Sequence, residues 1–287
     1  MKKCPNPDCN QILGETITIC PTCGTHLNPA LVQVDDYALI KTMRETSTGL
    51  LYCARQSADD HNVMLRLYPE EIAFSSEKAE QINQEMMAVS ILSNDAMVQH
   101  IDLRQSANGR WYRVSEWIES VSWGDLMAER FFRDPRNKKE WIGLFTQMAS
   151  ALNILHKSER IMPYMSLNDF LLFKGPNDQW KIKLDYKIYP IPAGLQQAPM
   201  ELQAFLSRHP DFKANRSLDV RSDIYTLGRL MLELLVGTNK VDDCQELLDK
   251  IYQKFEPIVF HRKLSGLLRA MIDDDPDKRT SSPWKTS

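Results

Sequence analysis

The chain has 287 residues, 43% hydrophobic and 25% charged, the balance of a soluble globular protein with room for a small unit plus one two-lobed domain. Thirty-five basic residues against 38 acidic ones leave a net charge of -3, which speaks against a non-specific grip on nucleic acid. No stretch approaches the roughly 18 consecutive apolar residues of a membrane span. The N-terminus MKKCPNPDC lacks the apolar core of a signal peptide, so a cytoplasmic setting is expected.

The first element is a pair of cysteine turns. Cys4 and Cys9 lie in KCPNPDC, and Cys20 and Cys23 in ICPTCG. Two thiolates per tight turn is how a short peptide surrounds one Zn²⁺ tetrahedrally. A segment this short cannot bury enough apolar surface to fold alone, so the metal stands in for a core. Residues 1–28 are therefore expected to form a ribbon holding one structural zinc per chain, with a redox dithiol as the remaining alternative. Cys53 and Cys244 are isolated and suggest no disulfide framework. His26, with four cysteines already present, reads as a surface histidine.

Gly24 to Val34 reads as a linker leaving the ribbon. From Tyr37 the pattern turns β-rich: YALIKTM, GLLYCARQ and NVMLRLY alternate as strands of a meander, separated by polar turns. Ser75 to Leu92 follows as a helix, with serines at its start and Ile82, Met86, Val89 and Leu92 on one face. Two strands, MVQHIDLR and RWYRVSEWI, flank Asn108-Gly109, a strong hairpin signal. Beyond Trp123 the texture is helical. Trp141, Leu144, Phe145, Met148, Leu152 and Leu155 recur at 3.6-type spacing, a core stripe rather than a cofactor box. Phe170–Lys174 and Lys181–Asp185 form a short hairpin. A buried helix carries Ile224 to Leu235 and stops at Gly237, and two more helices cover Asp243 to Lys254 and Arg262 to Ile272.

This order, together with four motifs, resembles the protein kinase fold over roughly residues 37 to 281. DVRSDIYTLGRLMLELLVG (219–237) is similar to the large-lobe helix that kinases write S-D-x-Y-S-x-G, with Asp223 at its buried aspartate. DDDPDKRT (273–280) resembles the D-P-x-x-R-x-T signature, and QAPMEL (197–202) the A-P-E segment, which sets Glu201 to pair with Arg279. ALNILHKSERI (151–161) looks like the helix leading into the catalytic loop. The resemblance implies an α+β, bilobal kinase-like fold behind the zinc ribbon. Its parts would be a linker at 29–36, a β-rich lobe at 37–117, a helical lobe at 118–281 and a tail at 282–287.

Where kinases place their chemistry, this sequence departs from the pattern. The glycine-rich turn reads MRETSTG (43–49), keeping only Gly49 and carrying Glu45, which repels phosphate. The β3 lysine falls on Arg66, for which a structural ion pair with Glu85 is expected rather than an ATP contact. The general-base aspartate falls on Met165 and the metal-binding asparagine on Phe170. Neither side chain takes a proton or ligates Mg²⁺. Asp185, in KLDYKI, sits where D-F-G belongs, either as a metal-ligand remnant or as a strand-end residue capping a turn; Lys187 replaces the glycine.

The residues matching structural positions (Glu201, Asp223, Arg279) persist while those matching chemistry are replaced, so the pattern resembles that of a pseudokinase. The ribbon-before-kinase arrangement looks like that of bacterial Ser/Thr kinases with an N-terminal four-cysteine segment. The expected function is that of a non-catalytic signalling protein acting through protein partners, without Mg²⁺-ATP. The alternative is an atypical nucleotide-binding transferase using Arg66, Glu85 and Asp185. A nucleic-acid finger is the weakest reading, because Lys2 and Lys3 are the only basic residues before Lys41 and no aromatic lies between them to stack a base.

Overall fold

The computed structural model describes residues 2–4, 9, 11–13, 20–23, 33–46, 49–70, 72–162, 164–188, 209–237, 243–254 and 262–279. These divide into two compact units. One takes in the described residues up to Ile91, Val98–Ile118 and Ile188. The other takes in Leu92–Met97, Glu119–Lys187 and everything from His209 onward.

In the first unit β1 (Lys2–Lys3) and β2 (Ile12–Leu13) pair antiparallel beside the cysteines, and the Cys4 N–H donates to the Gln11 carbonyl at 2.8 Å. The stretch read as a plain linker ends in a strand: β3 (Gln33–Val34) pairs with β4 (Tyr37–Thr46). β5 (Gly49–Gln56), β6 (Asn62–Leu67), β7 (His100–Gln105) and β8 (Trp111–Glu116) complete a sheet of order β3-β4-β5-β6-β8-β7. Strand periodicity sorts the side chains. Leu39, Tyr52, Ala54, Val63, Leu65, Tyr112 and Val114 fill one apolar cluster. By register, Leu51, Cys53, Met64, Arg66, Arg113 and Ser115 share the other face.

Asp35, in the β3–β4 turn, links the two edges of this sheet. Its carboxylate accepts from the Tyr112 hydroxyl at 2.8 Å and from the Ala107 N–H, in the β7–β8 hairpin, at 3.1 Å. Burial, with Asp35 beside it, pushes the Tyr112 hydroxyl far up. The helix α1 (Ser76–Ser90) starts at Ser75, whose hydroxyl accepts from the Lys78 N–H, and buries Ala79, Ile82, Met86 and Val89.

The second unit is helical apart from one hairpin. α2 (Trp123–Ala128) precedes α3 (Lys138–Lys157), which buries the predicted stripe from Trp141 to Leu155. β9 (Phe170–Lys174) and β10 (Trp180–Leu184) form the predicted hairpin. After α4 (Pro210–Lys213), the long α5 (Val220–Val236) is buried along nearly its whole length. It ends at Gly237, whose φ of +75° lets its N–H reach the Glu233 carbonyl at 2.8 Å. α6 (Cys244–Lys254) and α7 (Arg262–Met271) complete the described residues.

Arg279 pins the lower part of this unit. Its guanidinium forms a bidentate pair with Asp211 at 2.6 and 2.9 Å. Its remaining N–H groups go to the backbone oxygens of Asp273, Arg221 and Asp274. Among the described residues the carboxylate that answers Arg279 is Asp211; the expected partner, Glu201, lies outside the described residues. Asp211 also accepts from the Ser222 hydroxyl at 2.7 Å. Burial alone would raise the Asp211 pKa, but the bonds from Arg279 and Ser222 outweigh it and hold the carboxyl below its usual range. Burial pushes the neighbouring His209 down as well.

Both groups bind a proton less readily folded than unfolded, so stability is full at neutral pH and falls with acid. The first loss is expected below about pH 6.5, where the unfolded histidine charges, and a second below about pH 4. Urea melts across pH should show both stages, and His209→Gln should remove the first. At pH 7, Asp211→Asn should cost about 3 kcal/mol, because it strands a buried guanidinium.

Candidate functional site

Positions that the resemblance assigns to catalysis fall in both units, and each set has its own geometry. In the helical unit the loop after α3 is anchored from beneath by Asp223, which is fully buried at the start of α5. Its Oδ2 accepts from the Met162 N–H at 2.8 Å and from His156 Nε2 at 2.9 Å. Burial pushes this carboxyl up, with His156 and the Met162 N–H pulling the other way. Its Oδ1 meets no donor among the described residues. The next residue, Pro163, carries no N–H to offer and itself lies outside the described residues. Asp223 thus ties the loop after α3 to the start of α5.

Met165 and Phe170 are each 1% exposed, so the general-base and metal-ligand positions are core side chains. The Phe170 carbonyl accepts from Trp123 Nε1 at 2.7 Å, which fixes the start of β9. Between them a short 3₁₀ turn, Leu167–Asp169, closes on a reciprocal cap. The Ser166 N–H and hydroxyl both donate to Asp169 Oδ2, at 2.7 and 3.0 Å.

Asp169 is the one carboxylate of this loop, and it is already neutralised. Lys187 Nζ lies 2.5 Å from Asp169 Oδ1, with the two side chains 11% and 3% exposed. The Asp169 carbonyl accepts the Asp185 N–H at 2.7 Å, so backbone and side chains together staple 166–169 to 185–187. Sequence reasoning noted Lys187 only as a lost glycine; its positive role became visible with the fold. The only hint was an unusual cation beside Asp185. Asp185 itself is buried at the end of the strand β10.

In the β-rich unit Arg66 is buried on β6, directly across from Arg113 on β8. Arg113 Nε lies 3.4 Å from His100 Nδ1, and His100 Nε2 lies 2.7 Å from Asn83 Oδ1 on α1. Glu85, half-buried on α1, occupies the same helix one turn from Asn83's neighbours. Arg113, His100 and Asn83 were not singled out from the sequence. Their chain depends on cross-strand register.

Gly49, the last glycine of the MRETSTG turn, has a structural reason to remain. Its φ is +113°, and a Cβ there would stand 2.0 Å from the Leu67 carbonyl oxygen. What the glycine permits is close contact with β6.

The four N-terminal cysteines come together as expected. Their sulfurs all lie within 4.8 Å of one another, with Cys4–Cys23 at 3.4 Å and Cys9–Cys20 at 3.7 Å. A tetrahedron of bonds about 2.3 Å long has edges of about 3.8 Å, so the set fits a tetrathiolate metal centre. Burial, with the Cys23 thiol beside it, pushes Cys9 up to about 12. Burial also opposes ionisation of Cys20, but N–H groups of Cys23 and Thr22 outweigh it and hold that thiol below its ordinary value. A metal ion would displace the remaining protons and supply the missing positive charge.

No protein-family model matches the chain. Over 238 residues it is 21% identical to the serine/threonine-protein kinase pkn3 of Myxococcus xanthus, an alignment that takes in 80% of this chain. The chain spans about 40% of the length of that curated relative. Among solved structures, the kinase domain of Mycobacterium tuberculosis PknI superposes with a TM-score of 0.64 at 19% identity, covering 88% of this chain and 94% of that one. A single-substitution variant of the same domain gives 0.63 at 19%, covering 88% and 93%. At such identities the likeness carries the fold: the chain has the bilobal, α+β protein kinase architecture, with a four-cysteine cluster at its N-terminal end. Among the described residues, no helix is long and apolar enough to cross a membrane.

The buried pair gives a direct test. Lys187→Met leaves Asp169 uncompensated and should cost about 3–5 kcal/mol, read by chemical denaturation. Lys187→Met combined with Asp169→Asn removes both charges, keeps a side-chain oxygen for the Ser166 cap, and should recover most of that loss.

Proposed function

We propose that this chain is a catalytically inactive, kinase-like interaction protein whose ribbon is folded by one structural zinc ion. The reading rests on the pairing of Asp169 with Lys187 between the buried Met165 and Phe170. Phosphoryl transfer needs a base to orient the acceptor hydroxyl and oxygen ligands to hold the metal. Here the loop's one carboxylate faces an internal ammonium, and both neighbouring functional positions are apolar. The curated relative is named as a kinase; that activity does not follow for a chain lacking these groups. Lacking them, the fold's remaining asset is surface, and protein partners are the expected ligands. Cytoplasmic signalling is the setting that goes with this reading.

For the ribbon, Cys4, Cys9, Cys20 and Cys23 supply four sulfur ligands. This set favours zinc over hard cations and leaves no position open for a substrate.

A second reading draws on Arg66 and Arg113, whose guanidinium-bearing strands sit side by side on the sheet face opposite the apolar cluster. Such a face suits an anion, and residual nucleotide binding that uses Arg66 is its natural form.

Incubation with radiolabelled ATP and Mg²⁺ is expected to give no labelled product, on the chain itself or on a generic protein acceptor. Transfer abolished by Asp185→Ala would overturn the main reading. Saturable micromolar ATP binding, lost in Arg66→Ala, would favour the second. Elemental analysis should find one zinc per chain, and chelation should abolish N-terminal order while the main body stays folded. A ribbon that stays ordered without metal contradicts the structural role.

A further inference from the structure

The helical unit contains a cavity of about 700 Å³ whose lining includes none of the positions that the resemblance assigns to catalysis. Its floor is made by Tyr225 of α5, Cys244 and Leu248 of α6, and Ile272 just after α7, all of them buried. The two polar groups of that floor satisfy each other, because the Tyr225 hydroxyl lies 3.4 Å from Cys244 Sγ. The floor is therefore apolar in effect. Volumes of this order accept several side chains or a drug-sized ligand.

The mouth carries charge of both signs, with three carboxylates against two cations. Arg269 lies over the Tyr252 ring at 5.2 Å, and its Nε donates to that hydroxyl at 3.2 Å. Lys213 is the other cation. Against them stand three carboxylates, Asp243, Asp273 and Asp274. Asp243 uses one oxygen for the Gln245 N–H, and Asp273 uses one for the Asp275 N–H, so each keeps a second oxygen for a ligand. Their placement is set in advance. Arg279, locked on Asp211, holds the backbone oxygens of both Asp273 and Asp274. Carboxylates fixed before binding lose little freedom when a cation arrives.

An apolar floor ringed by charge is the anatomy of a protein-contact hot spot, whereas small-molecule pockets are lined mostly by apolar groups. We propose that this cavity docks a peptide segment of a partner protein in which a basic residue adjoins an apolar one. The apolar side chain enters over Tyr225 and Leu248, and the cation meets Asp273, Asp274 and Asp243. The proposal rests on the interaction reading above and gives it a place on the helical unit.

The test uses the full zinc-loaded chain and fluorescence anisotropy with a fluorescein-labelled nonapeptide of alternating arginine and leucine. A glutamate–leucine peptide of equal length is the charge-reversed control. Saturable binding of the first peptide only, weakened about tenfold or more by Asp273→Asn with Asp274→Asn and by Leu248→Trp, which fills the floor, is the expected result. The carboxamide pair lies at the surface and guards against misfolding of the tryptophan variant. Binding of both peptides alike, binding unchanged by these variants, or no binding overturns the proposal. Phosphate transfer by the chain would overturn the inactive reading and leave this docking result standing.

Discussion

A carboxylate inside a protein has to be answered by a cation or by N–H groups, and three of the four buried aspartates described in the helical unit are answered in three ways. Asp223 takes a backbone N–H and a histidine. Asp211 takes the fork of Arg279. Asp169 takes the ammonium of Lys187. The first two are scaffolding: they tie the loop after α3 to α5, and the last turn of the chain to α4 and α5. The third lies where a kinase-like chain would keep its reacting groups. Bringing that carboxylate to an ammonium 2.5 Å away, with its other oxygen capping a 3₁₀ turn, turns a chemical position into a structural one. Once Asp169 serves the fold in this way, Met165 and Phe170 can be core residues at no cost to the loop.

Much of this architecture is legible along the chain because it is written in local periodicity. The α3 stripe, the α5 stripe with its glycine stop, the 170–184 hairpin and the Asn108-Gly109 turn all depend on residues within a few positions of one another. The cysteine cluster was legible for a related reason, since two tight turns leave little choice about what the sulfurs do. What escaped is what depends on distance. Lys187 looked like a damaged glycine because Asp169 lies 18 residues away, on the far side of the hairpin in sequence. Asp211, which no motif marks, pairs with Arg279 across 68 residues of sequence. The strand Gln33–Val34 escaped because two residues carry no periodicity. It exists because Asp35 finds Tyr112, 77 positions on.

Gly49, in the sequence the last glycine of a degraded turn, is in the fold a backbone necessity against Leu67. The same change of meaning applies to Arg66. On the sheet it belongs to a buried polar row with Arg113, His100 and Asn83 that joins β6, β8, β7 and α1. Both residues have a place in the fold's geometry that the sequence alone does not show.

These particulars bear on why a chain without the catalytic groups still has a kinase-like body. Removing a base and a metal ligand from a loop leaves its backbone to be supported, and each vacated position must be refilled by something that packs or pairs. Methionine, phenylalanine and lysine do so here in a mutually dependent way. Phe170 is held by Trp123, Asp169 by Lys187, and the backbone of Asp185 by Asp169. Restoring one chemical residue would therefore break a packed or paired neighbour before it built a site. That interdependence makes the packing of this loop a cooperative property of the fold.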